Sequence, residues 1–182
     1  MSRFSAKELA YASLGAALIA VCSWISIPAA VPFTLQTFAV CLVTALLGLR
    51  CGLLAVAGYI LLGAAGLPVF SGFRGGAGAL LGTTGGYIVG FLFTAAAVGL
   101  SVRRFGRALP ALFLSMALGI LLCYTFGTAW FMLVYSAQKG PVSLGTALGW
   151  CVLPFLIPDG IKAALAAVLS RRLYPLIMKG QG

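Results

Sequence analysis

Long apolar stretches alternate with short polar or glycine- and proline-rich connections along the whole chain. Asp159 is the only acidic residue inside one of these stretches. A helix of about 20 apolar residues crosses the hydrocarbon core of a membrane, and the alternation expected of barrel strands is absent. The pattern therefore predicts an all-α, polytopic membrane protein, because helices satisfy their own backbone groups in lipid. The stretches cover residues 9–27, 37–49, 52–66, 85–102, 109–136 and 146–170.

The distribution of basic residues supports this count of six spans. Only residues 50–51 separate the second stretch from the third, and an alternative count merges the two or makes one re-entrant. With six spans, nine of the 12 lysines and arginines fall on the side that carries both termini. Because basic loops face the cytoplasm, we expect cytoplasmic termini and outward-facing loops around Arg74 and Lys139.

Composition excludes several other classes of protein. Of the 182 residues, 62% are hydrophobic and 8% are charged, whereas soluble domains carry about 25% charged residues. The length predicts one transmembrane domain over residues 1–182. The chain has no histidine and two acids, Glu8 and Asp159, so we expect no catalytic residue, no metal site and no cofactor bound by this chain. The basic residues lie between apolar segments rather than along one face, which argues against a nucleic-acid partner.

Two opposite charges lie close together in the last stretch. Asp159 and Lys162 are three residues apart, so they share one helical face, beside Pro158 and Gly160 where we expect an irregular helix. Charged residues in a membrane segment are costly and face a cavity or a partner. Two interpretations stay open: the pair stabilises a bend, or it binds a polar ligand. A carboxylate accepts from N–H groups and an ammonium donates to a carbonyl, so a cyclic urea suits both.

The outward connections contain most of the helix-breaking residues. Residues 27–36, the first outer loop, contain prolines that prevent a regular helix. Residues 67–84, the glycine-rich loop, contain five glycines, which let a backbone approach a ligand closely. The loop lacks the GxxxxGK[ST] pattern of a phosphate-binding loop. It either lines a ligand site or is a compact loop without a ligand.

The first stretch carries alanines at four-residue spacing, Ala12, Ala16 and Ala20. Small residues at this spacing allow close helix–helix approach in a membrane. The partner is either another helix of the same chain or a helix of another subunit, and the residues alone do not choose between them.

The chain resembles the BioY family, the biotin-binding S components of energy-coupling factor (ECF) transporters, along essentially its whole length. The resemblance rests on four segments, VPFTLQTFAV at 31–40, LG at 47–48, GAAGLPVFSGFRGGAGALLGTTGGYIVGF at 63–91 and IPDGIK at 157–162. It implies a six-helix bundle that binds biotin from outside in a bacterial or archaeal cell membrane. It also implies two partners, a transmembrane scaffold subunit of the EcfT type and a pair of cytoplasmic ATPases that use ATP.

The resemblance also implies roles for individual residues. Asp159 and Lys162 contact the biotin head group, and the alanine stripe of Ala12, Ala16 and Ala20 meets the scaffold subunit. The full predicted ligand-binding set is Asp159, Lys162, Arg74, Gln36, Gly75, Gly76, Tyr87 and Phe33. Two positions depart from the family pattern: Thr83 replaces the usual proline of Gly-Pro-Thr/Ser-Gly-Gly-Tyr, and Arg74 replaces a small polar residue. The functional alternatives are an S component for another vitamin, a stand-alone biotin facilitator and a membrane enzyme acting on a lipid.

Overall fold

The computed structural model describes residues 4–179, without the side chains of residues 178 and 179. Arg3 and the Lys179 side chain, which contributed to the predicted orientation, lie outside the described part. The elements are α1 Ala6–Trp24, β1 Ser26–Ile27, β2 Phe33–Thr34, α2 Gln36–Ala64, α3 Ala77–Leu81, α4 Gly85–Phe105, α5 Leu109–Lys139, α6 Leu144–Cys151 and α7 Leu156–Lys179. The all-α architecture predicted from the apolar pattern is confirmed.

The first helix begins with a capping box that uses one of the two acids. The Glu8 backbone N–H donates to the Ser5 hydroxyl at 3.2 Å, and the Ser5 backbone N–H donates to the Glu8 carboxylate at 2.8 Å. These reciprocal bonds satisfy donors that a helix start leaves free. Glu8 is therefore a helix cap, which leaves Asp159 as the acid available for a ligand.

Segment α2 is two helices folded back on each other at Gly48. Gly48 has φ +78°, a conformation that residues with side chains rarely adopt. A Cβ atom on Gly52 would lie 2.8 Å from the Thr44 side chain, although residues eight apart along a straight helix are separated by about 12 Å. Residues 36–47 and 49–64 thus form an antiparallel pair, about 18 Å and 24 Å long at 1.5 Å per residue.

The predicted number of spans is confirmed, and the bounds of the last one are corrected. Five described segments are long and apolar enough to cross a membrane, and α2 contributes two helices. The stretch 146–170 is not one helix, because a 3₁₀ turn at Leu153–Phe155 separates α6 from α7. Pro158 lies in the first turn of α7, where its missing N–H breaks no helical bond. The irregular backbone therefore precedes Asp159 and does not lie between Asp159 and Lys162.

Helices α4 and α5 approach each other closely because glycines lie on both sides of their interface. A Cβ atom on Gly90 would lie 2.8 Å from Cys123 Sγ, and one on Gly119 would lie 2.8 Å from Thr94 Cα. Toward the outer loops, Gly127 lies against the Tyr87 ring in the same way. In lipid there is no hydrophobic driving force between helices, so the close packing that small residues allow holds the two helices together. The interface holds the cavity-lining parts of α4 and α5 at a fixed spacing.

Arg107, in the connection between α4 and α5, joins three parts of the fold at the end opposite the outer loops. Its guanidinium donates to the carbonyls of Ala45 and Leu46, each at 3.0 Å, where the first helix of α2 ends and its last carbonyls lack helical partners. The guanidinium also lies 3.3 Å from the centroid of the Tyr174 ring in α7. Partial burial lowers the pKa of Arg107, but arginine stays charged in proteins. Arg107 therefore has a structural role as well as contributing to the charge asymmetry.

The outer loops are ordered by short elements and by indole hydrogen bonds. Strands β1 and β2 pair antiparallel within residues 26–34. The glycine-rich loop contains α3 and a backbone bridge between Phe70 and Arg74. The indole N–H of Trp24 donates to the Pro68 carbonyl, and that of Trp130 donates to the Gly82 carbonyl, both at 2.9 Å. The loop is therefore anchored near both ends, on α1 and on α5.

Candidate functional site

A cavity of about 770 Å³, its opening included, lies beneath the outer loops and between α4, α5 and α7. Apolar side chains such as Val31, Ile88 and Phe91 form much of its wall. The polar lining residues are Thr34, Gln36, Thr37, Ser71, Arg74, Thr84, Tyr87, Tyr124, Asp159 and Lys162. Apolar walls with a few placed polar groups are typical of a ligand site.

Asp159 and Lys162 form a buried ion pair on the wall of this cavity. Lys162 Nζ lies 2.8 Å from Asp159 Oδ1. Lys162 is 9% exposed and Asp159 is 3% exposed. Lys162 also donates to the backbone carbonyl of Thr34 at 2.6 Å, which links α7 to strand β2. Of the two sequence interpretations, the structure shows elements of both: the residues pair with each other, and both border the cavity.

Tyr124 is a member of this cluster that the sequence did not reveal. Its hydroxyl donates to Asp159 Oδ2 at 2.6 Å, so each carboxylate oxygen has one donor. Tyr124 lies in the middle of α5, 35 positions from Asp159 in the sequence. The available signal was a hydroxyl-bearing side chain in an apolar span, which is too common to single it out. The hydrogen bond fixes the orientation of the carboxylate toward the cavity.

Gln36 lines the cavity, but its side-chain amide is bonded within the protein. The amide N–H donates to the Tyr59 hydroxyl, and the amide oxygen accepts from the Thr34 hydroxyl at 3.1 Å. Gln36 is 5% exposed. These bonds place the start of α2 against the first outer loop, directly beside the Thr34 carbonyl that Lys162 binds.

Arg74 lies at the mouth of the cavity and is exposed to solvent. Its Nε donates to the Ser71 carbonyl at 3.2 Å. The terminal guanidinium nitrogens have no hydrogen bond or ion pair with another described residue. The bridge to Phe70 holds the Arg74 backbone on the loop that covers the cavity.

The remaining predicted ligand residues have different positions. Tyr87 lines the cavity and shares a 2.8 Å hydrogen bond with the Thr128 hydroxyl. Phe33 lies behind the wall, where its ring stacks on that of the cavity-lining Phe155 with 4.4 Å between centroids. Gly75 and Gly76 are not lining residues. A Cβ atom on Gly75 would lie 2.2 Å from the Leu67 carbonyl oxygen. The glycine therefore lets two parts of the glycine-rich loop pack directly against each other.

The alanine stripe that is predicted to meet the scaffold subunit packs within the chain. Ala12, Ala16 and Ala20 are 4%, 5% and 7% exposed, respectively, and belong to the hydrophobic core of the chain. Helix α1 packs on α2, where Gly15 meets Val43 and Ala55. The periodicity indicated a close helix contact, but that contact is internal.

A helical bundle with a buried ion pair facing a cavity of apolar and polar side chains defines a membrane-embedded binding protein for a small polar ligand. The BioY family model matches residues 1–179. The chain therefore belongs to the BioY family.

Relatives and a solved structure agree with this assignment. The chain is 41% identical over 174 residues to the biotin transporter BioY of Thermotoga maritima, covering 93% of this chain and 97% of the relative. It is 39% identical over 169 residues to the probable biotin transporter BioY of Pyrococcus horikoshii, covering 92% and 96% of the two chains. A crystal structure of the S-component for biotin from an ECF-type ABC transporter has a TM-score of 0.82 and 28% identity, with 94% of each chain covered.

Proposed function

We propose that this chain binds biotin in the cavity from the outer side and acts as the substrate-binding S component of an ECF-type transporter. The observation that carries the proposal is the Asp159–Lys162 pair on the cavity wall, in a chain of the BioY family. Its transporter relatives and the similar biotin S-component support the ligand class.

The ion pair retains hydrogen-bonding capacity for a ureido ring. A carboxylate offers about four acceptor positions and an ammonium offers three donors. Asp159 uses two positions, for Lys162 and Tyr124, and Lys162 uses two donors, for Asp159 and Thr34. One ureido N–H group of biotin then donates to Asp159, and the remaining Lys162 N–H donates to the adjacent ureido oxygen.

Arg74 is suited to the other end of the ligand. Biotin ends in a carboxylate on a flexible chain, and arginine binds carboxylates in a bidentate geometry. Arg74 is exposed at the cavity mouth, so the acyl chain lies along the apolar wall toward the loop. This places the head group deep and the carboxylate near the outer surface.

Energy for transport comes from partners in this proposal. The chain has no GxxxxGK[ST] motif, so a scaffold subunit and a pair of cytoplasmic ATPases supply ATP hydrolysis, with both termini on the cytoplasmic side. Since the stripe alanines are internal, a scaffold helix packing on α1 meets its exposed face, which carries Ala10, Ser13 and Ala17.

The test is equilibrium binding of biotin to the purified chain in detergent. We expect Asp159→Asn and Lys162→Ala each to weaken biotin binding by about 10- to 100-fold, because each loses a hydrogen bond to a charged group worth about 1.5–3 kcal/mol. We expect Arg74→Gln to weaken binding of biotin but not of biotin methyl ester, which lacks the carboxylate.

Lys139→Gln is the matched control for Arg74→Gln, because Lys139 is the other outer-side cation and does not line the cavity. It should leave the affinity for biotin unchanged. Absence of biotin binding by folded wild-type protein would reject biotin as the ligand, and competition with other vitamins would then test the alternative S-component function. Biotin uptake by vesicles that contain this chain alone would instead favour a stand-alone facilitator.

A further inference from the structure

A second groove lies on the outside of the bundle, at the end where α4 runs into α5. It has about 1720 Å³ of space, including the part that is open at the surface. The connection between the two helices contains Arg107, whose bonds to the α2 carbonyls and to Tyr174 place this groove at the same end as the Gly48 turn. The groove is therefore far along the bundle from the ion-pair cavity and has no part in biotin binding.

The groove has a floor of small residues and walls of large apolar ones. Ala97, Ser101, Ala111 and Ser115 form the floor. The Ser101 hydroxyl already donates to the Ala111 carbonyl at 3.3 Å, and the Ser115 hydroxyl donates to the Leu112 carbonyl at 2.9 Å. Both hydroxyl groups of the floor are therefore hydrogen-bonded within the protein, and an occupant need not supply polar groups to them. The walls are Leu100, Phe105, Leu114 and Leu118, all exposed.

Two arginines lie at the end of the groove nearest the connection. Arg103 and Arg104 line the groove, are exposed and lie in the last turn of α4. Neither forms an ion pair or hydrogen bond with another described residue. In contrast, the guanidinium of nearby Arg107 is occupied by carbonyls and an aromatic ring. Two cations without acidic partners thus border an apolar channel that opens to lipid.

We propose that this groove binds an anionic phospholipid, with its phosphate on Arg103 and Arg104 and one acyl chain along the small-residue floor. The charge complementarity identifies the occupant, since arginine pairs with phosphate oxygens in a bidentate geometry. Basic pockets between helices at a membrane surface are suited to anionic head groups. Because Arg103 and Arg104 follow the last apolar turn of α4, their guanidinium groups reach head-group level while the leucines stay in hydrocarbon.

The test uses lipid retention by the purified chain, measured by native mass spectrometry in detergent. Phosphatidylglycerol and phosphatidylcholine with the same acyl chains are the probes. We expect about a 10- to 30-fold preference for phosphatidylglycerol, from about a 5-fold gain per basic residue near a membrane surface. Arg103→Gln with Arg104→Gln should abolish this preference. Ala97→Phe should lower retention of phosphatidylglycerol with both arginines present, because the ring fills the floor.

Arg171→Gln with Arg172→Gln is the matched control. These two arginines are also adjacent and exposed, near the end of α7, but they do not line the groove. The control should keep the preference for phosphatidylglycerol. Equal retention of the two lipids by the wild type, an equal loss in the control, or full retention by Ala97→Phe would each overturn the proposal. Unchanged biotin affinity in all variants would show that they fold, and it separates this test from that of the cavity.

Discussion

The buried ion pair of Asp159 and Lys162 should behave as one unit in folding, which a double-mutant cycle can measure. Asp159→Asn removes one charge and leaves the Lys162 ammonium with the Thr34 carbonyl. Lys162→Met removes the other and leaves the Asp159 carboxylate with the Tyr124 hydroxyl. Each single change therefore leaves an uncompensated charge at a position at most 9% exposed.

Removing one partner of a buried ion pair costs about 3–5 kcal/mol. We expect about 3 kcal/mol for each single change, because both groups border the cavity and water can reach the remaining charge. The double variant leaves no buried charge, so its loss should be at least about 2 kcal/mol smaller than the sum of the single losses. The free energy of unfolding is measured by titrating the ligand-free protein in mild detergent with sodium dodecyl sulfate.

The result that would refute this reasoning is additivity. If the double loss equals the sum of the single losses within about 0.5 kcal/mol, the two charges do not interact in the folded protein. Single losses below about 1 kcal/mol would show that both groups are hydrated in the cavity.

Three further substitutions test separate contacts. Tyr124→Phe removes the donor to Asp159 and should weaken biotin binding about 10-fold, measured at equilibrium. Gly63→Ala places a Cβ atom 2.0 Å from the Phe70 ring and should cost about 1–3 kcal/mol of unfolding free energy, while also weakening biotin binding because Phe70 lines the cavity. Arg107→Gln should lower the unfolding free energy by about 2–4 kcal/mol through lost carbonyl bonds without changing the affinity for biotin.

Each of these substitutions has a matched control in the same part of the chain. Thr125→Val removes an exposed hydroxyl bonded within α5 and should leave biotin binding unchanged. Gly58→Ala meets no atom within 4 Å and should stabilise the helix by up to about 1 kcal/mol. Arg103→Gln removes an exposed charge and should cost less than about 0.5 kcal/mol. If a substitution and its control change the measured affinity or unfolding free energy equally, the contact that the substitution alters does not have the role described here.

The fold was predictable because a membrane-spanning helix needs a long apolar segment, which is visible in the composition and in the order of apolar residues along the chain. The short second and third spans were counted separately because Arg50 interrupts the apolar run, with a merged or re-entrant segment as the alternative, and Gly48, two residues earlier, makes the turn. The bounds of the last span were less accurate. The turn at Leu153–Phe155 contains Pro154, a helix-breaking residue that the count of apolar residues did not take into account.

The candidate site was predictable where a residue is chemically rare. A carboxylate and an ammonium within one apolar span are conspicuous, and both line the cavity. Tyr124 was missed because its role comes from a contact across 35 positions with Asp159. The alanine stripe has a related limit: its spacing predicts a close helix contact, but only packing shows that α2 covers it.

The anchoring of the glycine-rich loop gives the protein a built-in optical reporter. Of its three tryptophans, Trp24 and Trp130 donate their indole N–H groups to carbonyls near opposite ends of that loop. Indole emission depends on the polarity around the ring, so exchanging a carbonyl partner for water shifts the emission spectrum. Biotin does not absorb in the region where tryptophan is excited. Loop rearrangement during ligand capture can therefore be followed in real time on the unlabelled chain.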